Sequence, residues 1–159
     1  MNTFGLNIIL AIAWVAFTGS VSLVGLITGF VIGYGALWLI QPLIGSSTYF
    51  RRVTAWIKLV IMFHFELIVS SIAVAIDVLT PRHRARPAII EVPLDVQTDT
   101  GILLVTNLIS LTPGTLSLDV SEDRKTLLVH AMFADDPDAL RKSLKDGMER
   151  WVIDAVEGV

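Results

Sequence analysis

The first fifty residues contain no Asp, Glu, Lys, Arg or His, and this uncharged stretch constrains the chain more than any other feature. A helix needs about 20 apolar residues to cross a hydrocarbon core that is about 30 Å thick. A helix over residues 3–44 would be about 60 Å long, too long for one crossing and long enough for two. The small polar residues Thr18-Gly19-Ser20 favour a turn between two membrane helices.

The charged residues divide the chain into two physically different parts. Residues 1–86 contain six Lys and Arg and two Asp and Glu, whereas residues 87–159 contain six and thirteen. Only 17% of the 159 residues are charged, against about 25% in ordinary soluble domains, which argues against a purely soluble protein. A secretory signal peptide is disfavoured, because the first residues are not basic and residue 20 leads into another apolar run.

Three apolar helices are predicted, over about residues 4–17, 21–40 and 53–79, so that residues 1–80 form a transmembrane part. In the second helix, glycines recur every fourth residue and form a stripe on which another helix can pack closely. These candidate packing residues are Gly25, Gly29 and Gly33. The partner of the stripe is left open by the sequence.

The third helix carries three candidate intramembrane ionisable residues, His64, Glu66 and Asp77. Such groups are costly in lipid, which makes them functional candidates. His64 and Glu66 point about 200° apart on a helix and cannot pair, and Glu66 and Asp77 are about 16 Å apart along its axis. One helix therefore offers no continuous proton path, and a contact of Glu66 with a neighbouring subunit or with the interface is favoured.

A basic linker is predicted at residues 81–87, because Arg82-His83-Arg84-Ala85-Arg86 directly follows the third helix. Basic residues next to a membrane helix indicate the cytoplasmic side, so we expect a multi-pass protein of the cell membrane with a cytoplasmic carboxyl domain. Three spans would put Arg51-Arg52 outside, whereas a two-span hairpin followed by a tilted or surface-lying helix would keep both clusters inside. Three spans are preferred here, because the third segment lacks a clearly polar face.

Residues 88–159 read as a small α+β domain of β-α-β-β-α order. Thr98-Asp99 favours a helix to about Ser110, although the Ile, Val and Thr content also allows a strand. Alternation after residue 115 predicts a strand with Leu116, Leu118 and Val120 on its buried face. A hairpin to a second strand at residues 126–132 follows, and Asp136-Pro137 begins the last helix.

The sequence argues against several kinds of function, because it lacks the residues, or the spacing between residues, that those functions need. No cysteine is present, and three scattered histidines offer no zinc-ligand spacing, so neither a metal site nor a cofactor is expected. The carboxyl domain has a net charge of −7, which repels phosphate and argues against nucleic-acid binding. No nucleophile lies in a recognisable catalytic context, so the chain is expected not to be an enzyme.

The run Leu111-Thr112-Pro113-Gly114-Thr115 and the strand after it, with Leu128-Val129-His130 beyond the turn, resemble a known family. The chain is similar to the E subunit of Mrp-type multisubunit cation/proton antiporters, also called Mnh or Pha. The resemblance covers nearly the whole chain, including the uncharged helix pair and the third helix with Glu66.

This resemblance implies an accessory subunit of a bacterial membrane complex that exchanges sodium for protons. The implied partners are the bilayer and the other subunits, with the main ion path in larger subunits. The resemblance assigns no catalytic residue to this chain. The alternative is a membrane-anchored soluble binding or regulatory module unrelated to transport.

Overall fold

The computed structural model describes residues 3–19, 21–44, 47–81 and 85–158. The chain forms two compact units, Met1–Arg51 and Arg52–Val159. The second unit groups most of the third helix with the small domain, whereas the boundaries at residues 80 and 88 stay a prediction. The predicted linker residues Arg82, His83 and Arg84, and Ser20 of the predicted turn, lie outside the described residues.

The first unit contains the helices α1 (Thr3–Thr18) and α2 (Leu23–Ile44) and the start of α3 (Thr48–Leu79). The hydroxyl of Ser22 accepts the Gly25 amide at 3.0 Å, which caps α2. The helix continues past the predicted stop and carries Pro42 in its last turn. Of the described helices, α2 and α3 are long and apolar enough to cross a membrane, and α1 is shorter.

The second unit contains, after α3, β1 (Ala88–Pro93), α4 (Asp99–Leu111), β2 (Thr115–Val120), β3 (Thr126–Ala131) and α5 (Pro137–Leu144). The sheet has the order β1-β3-β2, and β3 is antiparallel to both neighbours. The strands β1 and β2 are therefore parallel with β3 between them, and α4 makes the crossover of a split βαβ unit.

The last helix does not end with α5. It continues through a π-helical turn at Lys145–Glu149, three α-helical residues and a second π-helical turn at Ile153–Glu157. We call residues 137–157 the carboxyl-terminal helix. Asp136 caps its start by accepting the amides of Asp138 and Ala139 at 3.1 and 3.0 Å, which confirms the start predicted from Asp136-Pro137.

The core of the domain lies between one face of the sheet and the two helices α4 and the carboxyl-terminal helix. Alternate residues of a strand point to the same face, and in β1 and β3 the residues on the inner face are apolar. The buried residues of this core include Ile90, Val92, Leu127, Val129, Val105, Ile109, Leu144, Met148 and Val152. Leu59 of α3 belongs to the same buried cluster, which explains why α3 and the domain form one unit.

The face predicted for β2 is wrong for Leu116 and Leu118, which are 49% and 45% exposed, with Leu116 opposite His130. Val120 does pack against the core as predicted, because a bulge between Ser117 and Asp119 shifts the register before it. The hydroxyl of Ser117 is drawn inward and donates to the Thr106 carbonyl of α4 at 3.0 Å. An extra residue in one strand reverses the alternation after it, and a count along the sequence does not reveal that residue.

Candidate functional site

A candidate site is a cavity of about 90 Å³ that α3 and the small domain line together. Two of the sequence candidates meet in it, because Glu66 of α3 faces Thr112 and Thr115 of the Leu-Thr-Pro-Gly-Thr turn. We call this space the Glu66 cavity. Its lining is completed by Ser70 of α3 and by Leu140, Ser143, Leu144, Gly147, Met148 and Trp151 of the carboxyl-terminal helix.

The turn is built by threonine hydroxyls that satisfy the last carbonyls of α4. The hydroxyl of Thr112 donates to the Leu108 carbonyl at 2.9 Å, and that of Thr115 donates to the Ile109 carbonyl at 2.7 Å. The ends of a helix leave such carbonyls unpaired, so these bonds stop α4 and hold the turn at a fixed place. Thr112 is only 4% exposed, so this capping site is shielded from solvent.

Gly114 gives the turn its shape and its contact with α3. Its φ of +92° lies in the left-handed region, which a residue with a Cβ rarely adopts. A Cβ at this position would lie 3.5 Å from the Phe133 ring and 3.7 Å from Val74 of α3. The turn therefore seats on α3 two helical turns beyond Glu66, and that contact fixes one wall of the cavity.

The chemistry of the Glu66 cavity is that of one carboxylate among hydroxyl groups. The side chain of Glu66 is half-buried and accepts hydrogen bonds when ionised, while Ser70 and Ser143 can both donate and accept. The cavity is large enough to admit water molecules. Among the residues that the structure describes, no three His, Asp or Glu side chains come together in a way that could hold a metal ion.

The other ionisable candidates of α3 do not join Glu66. His64 lies on the exposed side, where its Nδ1 hydrogen donates to the Val60 carbonyl at 2.7 Å and its ring meets the edge of Phe63. Asp77 is 2% exposed and accepts the Ala85 amide at 3.2 Å, where the chain leaves α3. His64 thus lies on the exposed face of α3, Glu66 in the cavity, and Asp77 at the buried carboxyl-terminal end of the helix.

The glycine stripe of α2 lies against α1 within the first unit. A Cβ at Gly29 would be 2.8 Å from the Cβ of Trp14 and 2.9 Å from the Ala11 carbonyl oxygen. A Cβ at Gly33 would collide with the Asn7 side chain. Glycine at both positions lets the two backbones approach closely. The structure thereby supplies a partner that the sequence left open, and Gly25 lies at the capped start of α2.

Beside the stripe, a polar bond joins α1 to the start of α3. Asn7 is 0% exposed, and its amide nitrogen donates to the Tyr49 hydroxyl at 2.8 Å. In an apolar environment such a bond is retained because the alternative is an unsatisfied polar group. The Tyr49 ring also packs edge-on against Phe50, with centroids 5.2 Å apart.

Sequence reasoning missed two carboxylates that hold the carboxyl-terminal helix against the segment after β1. Glu149 is 2% exposed and accepts the amides of Asp95 and Val96 at 2.5 and 3.1 Å. Glu157 accepts the amides of Gln97 and Thr98 at 2.8 and 2.9 Å, at the start of α4. No local feature of the sequence indicates either contact, because the backbone amides that the two acids accept lie more than fifty residues away.

Two groups in this region, Glu157 and Lys145, have shifted pKa values. Burial raises the pKa of Glu157, but the hydrogen bonds from Thr98 and Gln97 outweigh this effect and hold that pKa below its usual range. Burial lowers the pKa of Lys145, but its bond to Asp95 at 2.8 Å and the charge of Glu149 outweigh this and raise it. The ion pairs therefore clamp the carboxyl-terminal helix to the edge of the sheet at neutral pH.

The comparisons with known proteins cover almost the whole chain. Residues 7–155 match the family model described as Na+/H+ ion antiporter subunit. The E subunit of the Na(+)/H(+) antiporter of Alkalihalophilus pseudofirmus is 36% identical over 152 residues, which are 96% of this chain and 96% of that protein. The E subunit of the Bacillus subtilis antiporter is 32% identical over 147 residues, or 92% of this chain and 93% of that protein.

Two solved structures are similar as well. One chain of the Mrp complex from Dietzia sp. has a TM-score of 0.51 and 28% identity, over 65% of this chain and 94% of that one. A chain of the membrane-bound sulfane sulfur reductase, an archaeal respiratory membrane complex, has a TM-score of 0.58 over 97% of both chains, and at 23% identity it supports the fold alone. The resemblance read from residues 111–120 is confirmed, and the chain belongs to the family of Na+/H+ ion antiporter subunits.

Proposed function

We propose that this chain is an accessory subunit of a multisubunit sodium/proton antiporter in the bacterial cell membrane, and that it supports assembly instead of forming the main ion path. Its relatives are named as the E subunit of such an antiporter. The observation that carries the proposal is the separation of His64, Glu66 and Asp77, which lie on an outer face, in a cavity and at a buried exit. Proton relays require groups in hydrogen-bonding sequence, which this arrangement lacks within the described residues.

The Glu66 cavity suits a structural role in this proposal. It lies where α3, the Leu-Thr-Pro-Gly-Thr turn and the carboxyl-terminal helix meet, so its polar groups set how the domain is held on α3. A carboxylate with hydroxyl neighbours keeps such a contact in one geometry, because each polar group needs a partner when it leaves bulk solvent. In this role Glu66 is a positioning residue.

We further propose that the carboxyl domain faces the cytoplasm. The support is electrostatic, since three arginines lie among residues 82–86 directly after α3, and basic residues next to membrane helices favour the cytoplasmic side. The acidic domain that follows would then be available to charged surfaces of other subunits on that side.

Substitutions at Glu66 test the accessory role. Glu66→Gln keeps the size and most of the hydrogen-bonding capacity, so we expect exchange to stay within about twofold of the unmodified complex, well under the tenfold that about 1.4 kcal/mol would produce. Glu66→Lys should reduce the amount of assembled complex, because it sets a cation among the hydroxyls and apolar residues of the cavity. The measurement is sodium-dependent proton movement in everted vesicles, normalised to the assembled complex.

The matched control is Ser71→Ala, one residue beyond the cavity-lining Ser70, on the exposed side of α3. It should change neither assembly nor exchange. A Glu66→Gln complex that assembles fully but exchanges no sodium would put Glu66 in the ion path and refute the accessory role. A Glu66→Lys complex that assembles normally would refute the positioning role.

A further inference from the structure

The outer side of α3 is a long apolar surface within the second unit. Ten large apolar side chains from residue 57 to residue 79 are between 46% and 83% exposed, although the helix contacts the small domain on its other side. They are Ile57, Val60, Ile61, Phe65, Ile68, Val69, Ile72, Ile76, Val78 and Leu79. An exposed apolar surface of this extent marks an interaction with another protein or with a membrane.

The charged residues of α3 lie to one side of this surface and overlap it only at its border, where Val69 and Ile76 are close to the angular position of Lys58. Successive residues of a helix are rotated by about 100°, so Arg52, Lys58, Glu66 and Asp77 fall within an arc of about 120°. The opposite half of the helix carries no Asp, Glu, Lys or Arg, and His64 is its only histidine. Apolar residues on one side and charges on the other are typical of a helix that lies in the interface between membrane and water.

The small domain and the segment that leads into it contact the charged side of α3 at several places along the helix. Leu59 is 3% exposed and joins the domain core, Glu66 lines the cavity, and Asp77 accepts the Ala85 amide. Leu59 and Asp77 are 18 residues apart, or about 27 Å along the helix, close to the thickness of the hydrocarbon core. If α3 crossed the bilayer, the domain would have to enter it with the thirteen acidic residues that follow residue 86.

We infer that α3 lies in the plane of the membrane surface, with its apolar side in the lipid and the small domain seated on its charged side. The occupant of the exposed apolar surface is lipid at the boundary between headgroups and acyl chains. The 32 residues of α3 span about 48 Å, which exceeds a single crossing but suits a helix lying flat. The exposed Lys58 at the border of the surface is placed to meet anionic headgroups.

This arrangement resolves the conflict that three spans create. Both ends of a flat helix are on one side of the membrane, so Arg52 and Arg86 share that side, as the preference of basic residues for the cytoplasm requires. The inference concerns the bilayer and not ion exchange, so it holds or fails independently of the proposed function.

Site-directed spin labelling of the full chain in liposomes that contain anionic lipid tests the orientation. The chain has no cysteine, so single cysteines at Ile57, Ile61, Ile68, Ile72 and Leu79 give one label each. Depth is measured from the relative quenching by oxygen and by a water-soluble nickel chelate. We expect all five labels at a similar shallow depth, about 5–10 Å below the headgroups. A cysteine at Ser70, beneath the domain, is the matched control and should be protected from both quenchers.

Two outcomes would overturn the inference. A transmembrane helix would put the labels near residue 65 about 15 Å deep and those at residues 57 and 79 close to opposite surfaces. Labels at all five positions that are protected from both quenchers would mean that protein, such as a second copy, covers the surface instead of lipid.

A second test of the orientation of α3 uses cysteines outside its exposed apolar surface. Cysteines at Lys58 and Thr80 are about 33 Å apart along α3. With a flat helix, an impermeant thiol reagent reaches both from the same side of sealed, oriented vesicles. Labelling from opposite sides would contradict the inference.

Discussion

At the residue scale, the carboxylates of the last helix act as backbone acceptors at long range. Glu157 contributes stability through its bonds to the Gln97 and Thr98 amides, and its pKa is held below the ordinary value of 4.5. A group whose folded pKa is depressed stabilises the fold above its unfolded pKa, and that stability is lost as the pH falls through the folded value. The ionised form is therefore the one that joins the carboxyl-terminal helix to the start of α4.

The pH dependence of unfolding tests this role of Glu157. We expect the thermal midpoint of the full chain in detergent to fall as the pH drops below about 4.5, and Glu157→Gln to flatten that decline. At neutral pH the same substitution should lower the midpoint, because a neutral amide replaces a charged acceptor. Glu122→Gln, on the exposed β2–β3 turn, is the control and should leave the curve unchanged. Parallel curves for Glu157→Gln and the unmodified chain would show that this carboxylate does not couple folding to pH.

At the scale of elements, the pair α1 and α2 depends on the absence of side chains at two glycines. Gly29→Ala would place a methyl group 2.8 Å from the Trp14 Cβ and 2.9 Å from the Ala11 carbonyl, closer than such atoms approach. One of these atoms is backbone, so the helices must separate, and overpacking of this kind costs about 1–3 kcal/mol. The effect should appear within this chain before any effect on a neighbouring subunit.

The matched control for Gly29 is Gly35, where an added Cβ meets nothing within 4 Å. Gly35→Ala should be neutral or slightly stabilising, because alanine favours helix over glycine by about 1 kcal/mol. The measurement is the thermal midpoint of the full chain in detergent, together with the amount of assembled complex. Equal midpoints for the two variants would mean that α1 and α2 do not need this close approach.

At the scale of the whole molecule, the uncharged first fifty residues suit the membrane and the acidic residues after residue 86 suit water. We expect the carboxyl domain in the cytoplasm, so cysteines at Glu122 and Lys142, both exposed, should react with an impermeant thiol reagent only after lysis of the cells. Neither position lies in the core, so labelling reports the side of the membrane. Reaction of both cysteines in intact cells would contradict the orientation, and a periplasmic cysteine on another protein supplies the positive control.

Local signals in the sequence determined the parts of this protein that depend on near neighbours. The uncharged first fifty residues determined that this part is apolar helix, Asp136 and Pro137 determined where the last helix begins, and the Thr-Pro-Gly-Thr turn stops α4. Each depends on periodicity or on hydrogen bonds within a few residues, which the order of residues specifies directly. The family followed from the same turn and the strand after it.

Only the tertiary structure decided which surfaces meet, because long-range contacts depend on packing in three dimensions. It set α1 as the partner of Gly29, brought Glu66 to the turn, and put Leu116 and Leu118 on the opposite face of β2 from Val120 through a bulge. It also showed that the small domain contacts α3 on the side of Leu59 and Glu66, which the apolar length of the segment does not reveal. The sequence specifies how apolar each segment is, whereas only packing decides which side of a helix contacts protein and which side is left exposed.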